Sequence, residues 1–135
     1  FFIIGKKLDN DISGFHLNIG NYKCIFINRN DHYARQNQSL WHEIYHWYTN
    51  DIGHVSSKSA IDYKEMEYKA DNFASKILID REDLKQKTFL SNINIKYISR
   101  EQIVQMQNHY HASYMNVARA LYEVYPNEFR SKTKS

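Results

Sequence analysis

The sequence is poor in the residues that divide, staple or anchor a chain. It has one cysteine, one proline and four glycines in 135 residues. No Pro- or Gly-rich linker separates domains, and no internal repeat or low-complexity segment interrupts the pattern, so residues 1–126 are read as one domain, with 127–135 as a flexible tail. A lone cysteine, Cys24, excludes a disulfide scaffold; in its apolar, strand-like setting it reads as a small buried hydrophobe, compatible with a reducing cytoplasm. Phe1-Phe2-Ile3-Ile4 is too short for a signal peptide, and no later run approaches the ~18 apolar residues of a membrane span. The expectation is a cytoplasmic protein with no membrane partner. Because the first residue is Phe and not Met, the natural chain is expected to begin earlier. Charge of one sign is also lacking: the formal net charge is +3, with basic and acidic residues interleaved, which argues against direct nucleic-acid binding.

Apolar and aromatic residues are plentiful, at 42% and 15% of the chain, enough for a core without staples. Phe15–Ile19 and Tyr22–Ile27 are alternating or β-branched runs separated by Gly20-Asn21, the signature of a two-residue hairpin. Lys6–Ser13 is polar and reads as a loop, and Phe2–Ile4 can add an edge strand. After N-cap candidates at Asn28–Asp31 the pattern turns helical up to about Asn50, with Leu40, Ile44, Trp47 and Tyr48 on its apolar side.

That helix carries His42-Glu43-x-x-His46. At 3.6 residues per turn, two imidazoles four positions apart stand on one face and can converge on one ion. Zinc held by three protein groups lowers the pKa of a bound water from about 15.7 to about 7, and an adjacent carboxylate can take its proton during attack on a carbonyl. Two histidines therefore read as metal ligands and Glu43 as general base. The plainer alternative is an exposed, His-rich amphipathic helix.

A third ligand is needed. Ser and Gly residues mark 51–59 as a loop, whose His54 can face the metal or simply be exposed. The next helix, about Asp62–Leu78, has a predicted buried stripe of Met66, Ala70, Phe73, Ala74 and Ile77. It also bears Glu67 and Asp71, one turn apart on one face. Glu67 is the candidate third ligand, and Asp71 the carboxylate that orients an imidazole by accepting its other ring N–H. Glu65, rotated about 200° from Glu67, is the weaker rival. Alternatively the two acids are a solvated pair matched to Lys64 and Lys69. Farther on, Asp80–Asp83 offers a cap and acids for a short helix, Lys85–Ile95 reads as irregular or extended, and Ser99-Arg100-Glu101-Gln102 as a capping box opening a helix to about Tyr110. Ser113 caps a last helix with Met115, Ala118, Leu121 and Tyr122 at helical spacing, stopped by Pro126. This C-terminal pair, 100–125, carries Arg119 but also Glu123, Tyr and Met, so it reads as a packing element more readily than as a DNA reader.

Leu40, His42-Glu43-x-x-His46, and then Glu67-x-x-Ala70-Asp71-x-Phe73-Ala74-x-x-Ile77-Leu78, resemble the two motifs of the ImmA/IrrE zinc metallopeptidases. Phe26-Ile27-Asn28, Arg35 and Arg119-x-Leu121 stand at family-like places, so the resemblance covers about Gly14–Tyr122. Two positions depart: Tyr45 stands where Gly usually precedes the second histidine, and Asp80 where Pro usually follows the leucine-rich end. The resemblance implies an α+β fold with a thermolysin-like zincin core, in which a small antiparallel sheet packs against the signature helix and further helices. It also implies Zn2+ as cofactor and, as substrate, a DNA-binding repressor of the helix-turn-helix type, whose cleavage derepresses a prophage, mobile element or stress genes. A non-catalytic anti-repressor that sequesters such a repressor is the alternative. Tyr48, His54, Tyr63, Tyr68, His109 and His111 are all candidates to stabilise the oxyanion, and the sequence does not choose among them.

Overall fold

The computed structural model describes residues 2–49 and 60–129. Among these residues the fold is α+β, with a three-stranded sheet and five α-helices. Its residues group into two compact units, Phe1–Ala74 and Ser75–Ser135, with the boundary inside one helix.

The first unit opens with strands β1 (Phe2–Lys6), β2 (Gly14–Ile19) and β3 (Tyr22–Asn28), in sheet order β1-β3-β2. β2 and β3 form the expected hairpin, closed at the Ile19–Tyr22 pair, with Gly20 at φ +61° in the left-handed conformation that glycine adopts without strain. The sheet is mixed, however, and not purely antiparallel: β1 runs parallel to β3, from Phe2 beside Cys24 to Lys6 beside Asn28. The connection responsible for this is the 7–13 loop, and Asn28 organises it. Its fully buried amide accepts from Leu8 N (3.0 Å) and Asn30 N (2.9 Å) and donates to the carbonyls of Asp9 (3.0 Å) and Ile12 (2.7 Å). Both lone pairs and both protons of the amide are thus used. Cys24 is buried, as its setting implies.

Helix α1 (Tyr33–Tyr48) packs on β2 and β3. Its N-cap is His32 rather than one of Asn28–Asp31, because the Asn28 side chain is committed to the preceding loop. The apolar side assigned to α1 is only partly realised: Tyr48 is exposed, and the buried residues are Ser39, Glu43 and His46. Helix α2 (Ala60–Leu78) buries Met66, Ala70 and Ala74, each four residues after the last. Ile77, assigned to the same stripe, is exposed because it lies off that line.

In the second unit, Asp80 stands where the family pattern has Pro and caps α3 (Arg81–Leu90), accepting from Glu82 N (2.8 Å) and Asp83 N (3.1 Å). Lys85–Leu90, expected to be irregular or extended, continues this helix, because Leu84 and Thr88 recur on its buried side. Arg81 closes the end of α2 by donating to the carbonyls of Ser75 (3.2 Å) and Ile79 (2.8 Å), and its Nε reaches Glu123 at 2.8 Å. A 3-10 turn at Ile95–Tyr97 leads to α4 (Arg100–Tyr110), opened by the complete Ser99/Gln102 capping box, and then to α5 (Tyr114–Val124), capped by Ser113. The α5 stripe is shifted from expectation. Val117, Ala118, Ala120 and Leu121 are buried, whereas Met115 and Tyr122 are exposed. Phe129, placed in the expected flexible tail, is instead fully buried in the core with Ile79, Leu84, Ile98 and Leu121, and residues 130–135 lie outside the described residues. Among the described residues no helix is long and apolar enough to cross a membrane.

Candidate metal centre

The centre lies in the first unit, formed by α1 and α2, beside the seam along which α1 meets β2. Ser13 accepts from Arg35 Nε at 2.7 Å; a Cβ placed on Gly14 would lie 3.5 Å from Ser39 Cβ; His16 Nδ1 meets Glu43 Oε2; and Lys23, paired with Asn18, sets its ammonium 4.1 Å above the Trp47 ring. The helix contributes positions 35, 39, 43 and 47. From Gly14 to Asn18, opposite helix positions 39 to 47, four helical residues rise about 6.0 Å for every two strand residues at about 6.6 Å, so helix and strand stay in step there. Gly14 is needed within the sheet, because a Cβ there would stand 2.9 Å from the Phe26 carbonyl oxygen of β3.

One helical turn separates His42 from His46, and their Nε2 atoms are 3.0 Å apart. Glu67 on α2 completes the group, with Oε2 2.9 Å from His42 Nε2 and Oε1 3.0 Å from His46 Nε2. Asp71, one turn after Glu67, accepts from His42 Nδ1 at 2.7 Å. The rival Glu65 turns away and pairs with Lys69 at 3.6 Å. His42, His46 and Glu67 thus form a set that can hold a metal ion.

Two features of the donor set fit a cation. With the Nδ1 proton of His42 committed to Asp71, Nε2 of the neutral ring presents a lone pair toward a carboxylate oxygen and a second imidazole nitrogen. Such groups converge favourably only around a positive charge, whether proton or metal. The spacing also suits zinc, since tetrahedral bonds of about 2.0–2.1 Å separate donor atoms by about 3.3 Å.

The electrostatics agree. Burial disfavours a charged His42, but the hydrogen bond and charge of Asp71, with Glu67 and Glu43 behind them, outweigh it and hold the pKa above the usual 6.5. Burial dominates at His46 and, with the neighbouring His42 and His16, keeps its pKa below 6.5 despite the pull of Glu67 and Glu43.

Of the oxyanion candidates, Tyr48, Tyr63 and Tyr68 are exposed, His109 and His111 belong to the second unit, and His54 lies outside the described residues. The side chain that sequence reasoning missed is His16. Its signal was the alternation of β2, in which Gly14, His16 and Asn18 share one face and Phe15, Leu17 and Ile19 the other. The default reading turns the apolar face inward. Here the polar face meets α1, while Phe15 stacks on Phe26 at 4.8 Å on the opposite side of the sheet and Leu17 and Ile19 are exposed there.

Tyr45, the departure beside the second histidine, lies with its ring centroid 5.4 Å from that of Phe73 and 6.1 Å from that of His46. No curated protein and no solved structure matches the chain. A family model described as the IrrE N-terminal-like domain, from a peptidase family, matches residues 4–122, a span that includes the end of β1, all of β2 and β3, both candidate motifs and the helices through most of α5. The match supports a metallopeptidase-type function, in keeping with a triad that can bind a metal, and the chain belongs to the IrrE N-terminal-like domain family of peptidases.

Proposed function

We propose that the chain is a zinc-dependent endopeptidase in which His42, His46 and Glu67 hold the metal, Glu43 is general base and then general acid, and Asp71 steadies His42. The observation that carries this reading is the convergence of three donor atoms beside Glu43, with the remaining ring nitrogen of His42 taken by a carboxylate. When bound, zinc supplies Lewis acidity toward a scissile carbonyl and toward water. Glu43, buried on α1, holds its carboxylate ready to accept a proton and return it to the leaving amine. Asp71 keeps His42 in the tautomer whose Nε2 is free to donate its lone pair.

The proposed substrate is a helix-turn-helix repressor, whose hydrolysis releases transcription of a prophage, mobile element or stress genes; this part rests on the resemblance to the ImmA/IrrE peptidases. Tyr45 favours a second reading, since its bulk beside His46 narrows the space for a scissile bond and suits a site that captures a repressor without cutting it. Elemental analysis tests the metal centre. About one zinc per chain is expected in the parent, sharply reduced in Glu67→Ala, and a metal-free parent after zinc is supplied would remove the peptidase reading. Glu43→Gln should keep the zinc while lowering cleavage of a repressor that the parent cuts by at least about 10²-fold. A repressor released from DNA at full length by the parent would favour sequestration.

A further inference from the structure

The contact between His16 and Glu43 has no part in the chemistry just described, yet it joins the candidate general base to a different element of the fold. His16 comes from β2, Glu43 from α1, and 27 positions separate them in sequence. Both are largely shielded, with side-chain exposures of 17% and 11%. Glu43 has three rotatable side-chain bonds, and α1 by itself supplies no partner that selects one arrangement of its carboxylate. The helix–strand seam brings His16 to it, one step beyond the close approach of Gly14 and Ser39.

We infer that His16 is a positioning residue for Glu43: its Nδ1–H donates to Oε2 and fixes the carboxylate, leaving Oε1 as the oxygen that exchanges protons with the reactants. This rests on the reading of Glu43 as general base. His16 itself stands outside the metal-binding group, because the converging donor set among the described residues consists of His42, His46 and Glu67. Reaction rates fall when a catalytic group samples unproductive orientations, so freeing Glu43 costs turnover and not metal affinity.

The test uses the full chain loaded with cobalt in place of zinc, read by its visible d–d absorption as a function of pH. His16→Asn keeps an N–H at the position of Nδ1, whereas His16→Leu removes it. The parent should take up about one cobalt. His16→Leu should bind cobalt within about threefold of the parent but displace the midpoint of the pH-dependent spectrum by about half a unit or more. His16→Asn should restore the parent profile, and His16→Leu added to Glu43→Gln should change nothing further, because the effect passes through Glu43. His16→Ala carries the same arm should leucine not be accommodated. An unchanged profile in the donor-less variant, an equal displacement in the Glu43→Gln background, or loss of cobalt binding would overturn the inference while leaving the metal site standing. A parent that binds no cobalt would overturn the metal reading, and this inference with it, before any variant is compared.

Discussion

The two units of this chain bury different kinds of residue. In the second, the interior is an apolar cluster from Ile79 through Phe129, and the polar side chains buried in that unit, Ser75, Thr88 and Asn116, are all uncharged. In the first, the helix at the centre of the unit buries Ser39, Glu43 and His46, and its apolar residues are only partly covered. Burying such groups is unfavourable unless each finds a partner, so the first unit depends on specific pairings where the second depends on packed volume. A functional site of this kind is built at some expense in stability, recovered in part when a ligand binds to the folded state.

The comparison can be broken at its apolar end first. Phe129→Ala removes a fully buried ring and should destabilise the second unit by about 3–5 kcal/mol, read from urea unfolding followed by helical circular dichroism. A loss below about 1 kcal/mol would mean that packed volume is not what supports this unit. In the first unit, Gly14→Ala should cost about 1–3 kcal/mol, because the new methyl meets the Phe26 backbone oxygen, which cannot rotate away, and should leave zinc binding largely unchanged, because that clash lies between β2 and β3 and not against α1. Unfolding and chelator-competition titrations measure the two effects.

A third outcome concerns pH. Zinc requires both imidazoles unprotonated, so metal binding competes with protons. Because the pKa of His42 is raised and that of His46 lowered, a window exists in which His42 alone is protonated. Within it affinity should fall about tenfold, or about 1.4 kcal/mol, per unit decrease in pH, beginning above the usual 6.5 and steepening once His46 also protonates. Asp71→Asn should move the onset to lower pH by weakening the hold on the His42 proton. Competition titrations from pH 5 to 8 would reveal an onset unmoved by that change, which would break the link between Asp71 and His42. The smallest effect belongs to the helix ends: Ser99→Ala should cost about 1 kcal/mol in thermal stability, because it removes one half of the α4 capping box.

Much of this could be read along the chain, for a reason visible in particular elements. The hairpin follows from Gly20-Asn21 between alternating runs, α4 from its capping box, and the two ligand-bearing helices from apolar residues three and four apart. Errors fell where tertiary contacts override local pattern. Lys85–Leu90 is polar enough to read as a loop, yet it is helical around the buried Leu84 and Thr88; Ile77 and Met115 fit a helical stripe but lie just off the face that is covered. The parallel β1 depends on a loop organised by a single asparagine 19 residues downstream of one of its partners, and no local signal announces such a bond.

By itself the sequence determined the fold class and the candidates for the metal centre. His42 and His46, like Glu67 and Asp71, are one turn apart on helices whose existence the apolar periodicity already requires, so each pair is placed on a shared face by backbone geometry alone. Only the tertiary structure decided how the pairs meet: that Glu67 and not Glu65 joins the histidines, that Asp71 takes His42, and that the polar face of β2 turns inward to bring His16 to Glu43. Periodicity states which residues share a face, but which face is covered depends on the packing of distant segments.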